Sequence, residues 1–290
     1  MILLEAFLRD LQFGRNCSSH TISAYKRDLD YYKEFSKNKK KNIQEFYEFL
    51  DKKKLSARSQ ARIISCLRSY FRFLQRQGKR CVEIKYLSLP KVQHKIPHFI
   101  SLKDFKALWK ASKEDSEHLS LRNELVLSFL YGLGCRVSEL INLNIQDFNE
   151  TSAWISILGK GNKERLLPLP TKLHQLLIVY LKNSRPYFSK TEKACLIFNN
   201  KGNRPSRVDI WRWLKKWSLK AGFDTVKNPH SFRHGCATGL LERGADLRTI
   251  QKLLGHSNIQ TTQIYTSVNP KKLKSAIKKH HPLSQLKHLI

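Results

Sequence analysis

The chain is short of acid. Among its 290 residues, 23 Asp and Glu stand against 54 Lys and Arg, a formal charge of +31. This imbalance weakens any reading as a plain metabolic enzyme and favours a polyanionic partner, because basic grooves gain affinity by displacing the counterions condensed on phosphates. Long apolar runs are also missing. The longest, residues 176–181, falls far short of the roughly 18 residues that a membrane span needs. Residues 1–11 are interrupted by Glu5, Arg9 and Asp10, so no signal peptide is expected. A basic protein at a membrane surface usually carries one basic amphipathic helix, whereas Lys and Arg here run through the whole chain, so no membrane partner is expected. Cys17, Cys66, Cys81, Cys135, Cys195 and Cys236 are scattered without a C-x-x-C pair. No disulfide framework or cysteine zinc site is implied, and reduced, mostly buried thiols in a cytoplasmic protein are expected. The G-x-x-x-x-G-K-[ST] spacing of an ATP loop is absent, as is H-E-x-x-H.

What is present is an ordinary globular mix, 41% hydrophobic and 27% charged, and at about 150 residues per domain the length suggests two domains. The first, residues 1–88, reads as a small helical bundle. Leu3, Leu4, Phe7, Leu8 and Leu11 recur at helical spacing, followed by Ile22, Tyr25, Leu29, Tyr32 and Phe35, with Ser19 as a candidate cap. A third helix is expected over residues 43–50. A fourth is expected over 56–77, with Ile63, Leu67, Tyr70, Phe71 and Leu74 on one face and Gly78 closing it. Residues 89–97, with two prolines and no apolar period, read as an extended linker. Residues 98–290 read as a mostly helical domain. It contains a β-hairpin over 154–158 and 165–169 around Gly159-Lys160-Gly161-Asn162. A further short strand is expected over 195–198. The fold class is thus mainly α.

The fourth helix also carries Arg58, Arg62, Arg68, Arg72 and Arg76, which at about 100° per residue fall on one side, opposite the apolar stripe. With no acid between residues 56 and 77, a phosphate-facing surface is a better reading than a merely solvated face.

Four polar clusters occupy the second domain. In Gly-Leu-Gly-Cys-Arg-Val-Ser-Glu-Leu, residues 132–140, Arg136 follows a glycine-permitted turn at the head of a helix. It can aim its fork at an anion or pair with Glu139. Lys160, between two glycines on the hairpin tip, can reach a phosphate, give up a proton, or simply sit on an exposed basic turn. Lys163 and Arg165 add charge beside it. In His-Ser-Phe-Arg-His, residues 230–234, His230 and Arg233 share a helical face. His230 and His234 suit a metal by spacing, but no third ligand lies at a familiar interval, so no metal is expected. Last come Leu-Gly-His at 254–256 and Ile-Tyr-Thr around Tyr265; singly, such a His or Tyr is usually core. Together, two Arg, one Lys, two His and one Tyr suit phosphoryl transfer in which guanidinium groups neutralise developing charge.

These clusters, in this order, resemble the tyrosine recombinase (phage integrase) family, specifically its bacterial Xer type. The intervals are those of the family: 24 residues from Arg136 to Lys160, 23 from Arg233 to His256 and 9 from His256 to Tyr265. The resemblance covers essentially the whole chain, including His281-Pro282 near its end, with no departure at a catalytic position. It implies a SAM-like helical core-binding domain and a mixed, mostly helical catalytic domain. It also implies that Tyr265 attacks the scissile phosphate, Arg136 and Arg233 clamp its oxygens, and Lys160 protonates the leaving 5′-oxygen. His230 would take the tyrosine proton, His256 would hydrogen-bond the transition state, and Glu139 would orient the site. DNA contacts are expected from Arg58, Arg62, Arg68, Arg72, Lys163 and Arg165.

No cofactor is implied. The partners implied are double-stranded DNA, a homo- or hetero-tetramer that can include a second Xer recombinase, and a septal DNA translocase as activator. The task implied is resolution of chromosome or plasmid dimers. The C-terminal segment, residues 271–290, would dock on a neighbouring protomer through Leu273, Ile277, Leu283, Leu286 and Leu289, or else pack on its own chain. The compact length argues against an extra arm-binding domain. A mobile-element integrase of the same family, a type IB topoisomerase-like nicking enzyme and a catalytically silent DNA-binding regulator are the alternatives.

Overall fold

The computed structural model describes residues 2–37, 42–79, 86–90, 99–159, 163–189, 194–255, 275–277 and 279–285. The chain divides into two compact units, Met1–Ile96 and Pro97–Ile290.

The first unit is a helical bundle. Helix α1 (Ile2–Arg9) runs into one π turn, Asp10–Gly14. Helices α2 (Ser19–Ser36), α3 (Ile43–Lys52) and α4 (Ala57–Arg76) follow. Each starts on a residue whose side chain accepts a backbone N–H of the first turn: Ser18 from Thr21, Asn42 from Glu45 and Ser56 from Ser59. The cap of α2 is therefore Ser18, one residue before the expected Ser19. The core is aromatic. Phe7, Phe46 and Phe71 are fully buried, and Tyr32 meets Phe46 and Phe71 edge-on at 5.7 and 5.4 Å.

The second unit is built around α6 (Glu117–Gly132), whose residues from Arg122 to Gly132 are all buried. A helix covered on every side has no polar face, which is why no amphipathic period marks it. Around it lie α5 (Leu102–Ala111), α7 (Val137–Ile141), α8 (Thr171–Val179), α9 (Arg185–Phe188), α10 (Arg207–Lys220), α11 (Pro229–Glu242) and α12 (Leu247–Leu254). A π turn, Tyr180–Ser184, joins α8 to α9. Ser101 and Asp104 form a reciprocal capping box at α5. Arg122, buried within α6, donates to Asn123 and Asn200 and lies 4.0 Å over the Trp213 ring.

One antiparallel sheet has the order β1-β2-β3. The expected hairpin is β2 (Trp154–Leu158) with β3 (Glu164–Pro168), in the register Ile155↔Leu167 and Ile157↔Arg165. Strand β1 (Phe148–Asn149) was not anticipated, because two residues carry no period. The strand expected over 195–198 is a correction: only Cys195 bridges, to Asn144. The Leu143 N–H, which would extend the ladder to the Leu196 carbonyl, donates to the Leu140 carbonyl at 3.3 Å instead. Cys66, Cys135, Cys195 and Cys236 are buried thiols outside any disulfide, and burial raises the Cys135 and Cys236 pKa to about 12.

The described part of the C-terminal segment packs on its own chain. Ile277, His281 and Leu283 are buried. His281 Nδ1 accepts the Leu283 N–H at 3.1 Å, so its Nε2–H donates to the Gly132 carbonyl. Leu273, Leu286 and Leu289 lie outside the described residues. Burial lowers the His281 pKa to about 4, below the value of about 6.5 for an unfolded chain. A base whose folded pKa is depressed is paired at full strength above the unfolded value and loses that stability as pH falls toward the folded one. Between pH 6.5 and 4 the docked segment should therefore lose about 3 kcal/mol. Thermal unfolding should show a larger fall from pH 7 to 5 in the wild type than in His281→Gln; equal falls would count against this.

Candidate active site

Glu139 is the hub. It lies in the first turn of α7, where its Oε2 accepts the Arg136 backbone N–H at 2.8 Å. Its Oε1 accepts Arg136 Nη1 at 2.8 Å. From β3, Arg165 grips the same carboxylate with two parallel bonds, Nη1 to Oε1 at 3.0 Å and Nη2 to Oε2 at 2.7 Å. Both oxygens thus receive two donors each. Burial alone would raise the Glu139 pKa, but the bonds from Arg165 and Arg136 together outweigh it and hold it below the usual carboxylate range.

Arg233 sits one turn into α11 and is only 8% exposed. Its Nη1 donates to the Gly134 carbonyl at 2.7 Å and its Nη2 to that of Leu254. Burial, then repulsion from Arg136, lowers its pKa to about 10. The C-terminal carbonyls of α12 are thereby read in sequence by three guanidinium groups: Leu253 by Arg165 Nε at 3.2 Å, Leu254 by Arg233, and Gly255 by Arg136 Nη2 at 3.4 Å. These are the orphan acceptors at the negative end of a helix dipole, where cations are favourable.

Two glycines make the approach possible. Gly255 ends α12 in the left-handed region, φ +65°. Gly134, φ +58°, turns the chain from α6 toward Arg136, and a Cβ there would meet Leu254 Cδ2 at 2.5 Å. Gly134→Ala should cost about 2 kcal/mol or more, read as a fall of several degrees in the melting temperature. An unchanged melting temperature would contradict this placement.

The structure thus brings Arg136, Glu139, Arg165 and Arg233 together, three cations around one carboxylate. His230 is exposed in the first turn of α11, three residues before Arg233 on the same helical face. Lys163 is exposed at the base of the hairpin tip, where its carbonyl accepts the Gly159 N–H at 2.8 Å. Lys160, His256 and Tyr265 lie outside the described residues; the first follows Gly159 in the chain and the second follows Gly255.

Of the arginines expected to face DNA, Arg165 is only 13% exposed at its side chain and is committed to Glu139 and Leu253. Strand parity carries the signal: Arg165 shares its face with buried Leu167. In the first unit, Arg62 pairs with buried Asp28 at 2.8 Å, and Arg68 Nε donates to the Leu87 carbonyl at 2.8 Å. Arg58 and Arg72 are exposed. Arg72 lines an open cleft with Arg15, Gln75 and Arg76. Arg15, which the sequence reading passed over, is braced there by Asp10 at 2.9 Å and Ser69 at 3.0 Å.

Comparison with known proteins agrees with this architecture. Residues 98–272 match the phage integrase family and residues 4–78 its N-terminal SAM-like domain. The chain belongs to the phage integrase family. Tyrosine recombinase XerD of Listeria monocytogenes is 37% identical over 293 residues, 97% of this chain and 98% of that protein. Its counterpart in Staphylococcus epidermidis is 35% identical over 291 residues, with the same shares covered. Among solved structures, XerH site-specific recombinase bound to palindromic difH substrate, a post-cleavage complex, superimposes with a TM-score of 0.69 at 24% identity, over 95% of this chain and 83% of that one. Within the family this chain is an Xer-type tyrosine recombinase, an enzyme of site-specific recombination.

Proposed function

We propose that this recombinase cuts and rejoins double-stranded DNA through a 3′-phosphotyrosyl intermediate, and that its task is resolving chromosome or plasmid dimers at a short two-half-site sequence. The observation that carries this reading is the cluster of Arg136, Arg165 and Arg233 around a single carboxylate. It leaves a surplus of positive charge beside a half-buried Arg136, as a phosphate about to gain charge in its transition state requires.

The phenolic oxygen of Tyr265 attacks phosphorus, His230 receives its proton, and the bond to the 5′-oxygen breaks as Lys160 supplies the proton that oxygen needs. Arg136 and Arg233 hold the non-bridging oxygens, and His256 donates to the same charge. Because the new phosphodiester preserves the energy of the old one, a 5′-hydroxyl from a second duplex can reverse the step without ATP or metal. Exchange needs four protomers on two duplexes. A second Xer recombinase, a septal DNA translocase and a cytoplasmic setting fit this reading, as does the DNA-bound state of the XerH structure. Incubating the protein, alone and with a second Xer recombinase, with a supercoiled plasmid carrying two directly repeated sites in EDTA should give two smaller circles. Intact plasmid in every mixture would reject the reading.

In the first unit, the cleft lined by Arg15, Arg72 and Arg76 is the better phosphate-contacting candidate, since it gathers three guanidinium groups, whereas Arg68 is held by the Leu87 carbonyl. Arg72→Ala should weaken DNA binding alike across sequences and reduce the salt slope by about one. An unchanged slope would remove Arg72 from the contact surface.

A further inference from the structure

We infer that Arg165 is a positioning residue for the phosphate clamp, acting on Arg136 through Glu139 and on the end of α12, without touching DNA. The inference rests on the tyrosine reading above and names what holds its arginines in place.

The carboxylate of Glu139 offers about four acceptor directions. Arg136 fills two of them, with its backbone N–H and Nη1, and Arg165 fills the other two. While Arg165 is present, the buried carboxylate needs nothing more from Arg136, whose other edge stays turned toward the Gly255 carbonyl. Without Arg165, two lone-pair directions of a buried anion are empty. The nearest cation able to fill them is the rest of the Arg136 fork, which would then be drawn away from phosphate. The same guanidinium fixes α12, because its Nε bonds Leu253, the carbonyl preceding those braced by Arg233 and Arg136. Arg165 also stands in β3, opposite Ile157, so one side chain ties the hairpin that carries Lys160 to both clamp arginines. Its low exposure leaves little of it for DNA.

The test separates positioning from binding. Arg165→Gln should slow single-turnover formation of the covalent protein–DNA adduct by about 100-fold at saturating DNA. The DNA Kd should stay within about twofold and the salt slope should be unchanged. Arg165→Lys keeps the charge but not the fork. It should recover only part of the rate, and it carries the test should the Gln variant fail to fold. Combining Arg165→Gln with Glu139→Gln should be no slower than the slower single variant, because both break one relay.

A weaker Kd with a reduced salt slope and an unchanged saturated rate would overturn the inference and make Arg165 a DNA contact. Independent, multiplying losses in the double variant would overturn the route through Glu139. Failure of the wild type itself to form an adduct would instead strike the tyrosine reading, and this inference with it.

Discussion

Arg233→Lys should slow DNA cleavage about a thousandfold while leaving the charge of the protein unchanged. Arginine at 233 has five N–H donors, of which one is bonded to Gly134 and one to Leu254. Three N–H donors remain after the backbone has been satisfied, and the plane of the group is fixed by those two bonds. A lysine ammonium is a point charge on a flexible stem. If it bonds the carbonyls it has left the phosphate. If it reaches the phosphate it leaves two carbonyls without partners in a site that is only 8% exposed, at a cost of about 1–3 kcal/mol for each. The burial that lowers the arginine's pKa to about 10 still leaves it charged at neutral pH. A lysine starts about two units lower and meets the same burial, so its charge there is less secure. DNA affinity, spread over many phosphates, should change by no more than about threefold. A single-turnover rate within a few-fold of wild type, at saturating DNA, would mean that Arg233 holds only the backbone.

Much of this arrangement was legible in the chain. The helical periods of α2 and α4 and the glycine-tipped hairpin are local signals, and the structure carries each of them. What the chain did not reveal is set by distant partners. Residues 195–198 look like a strand, but the Leu143 N–H that would extend the ladder is taken by the Leu140 carbonyl at the end of α7. The arginine stripe of α4 reads as one surface on a helical projection. Its members part company because Asp28 on α2 captures Arg62 and the Leu87 carbonyl captures Arg68. Arg15 stayed hidden because its cleft joins the turn after α1 to the end of α4, about 55 residues apart in the chain.

At the site, Arg136, Glu139 and Arg233 stood out by type and spacing. The sequence motif, however, shows only that Arg165 is basic. Its inward direction follows from the parity it shares with Leu167, and its partner from the approach of β3 to α7. The use of three consecutive α12 carbonyls by three arginines is a tertiary fact, and no spacing rule would have found it.

Tyr265→Phe removes one oxygen atom and should remove the covalent step entirely, because no other nucleophile is assigned and phenylalanine has no lone pair to offer phosphorus. Binding to the site should persist, since the basic surfaces on both units are untouched. Mixing the protein with a nicked duplex that carries an Xer-type site, in EDTA, traps the cleaved strand by letting the short 5′-fragment diffuse away. The wild type should give a denaturant-stable protein–DNA adduct without added metal, and Tyr265→Phe should bind but give none. An adduct that persists in Tyr265→Phe, or a wild type that cleaves only when a divalent metal is supplied, would contradict tyrosine-based phosphoryl transfer at this arginine cluster.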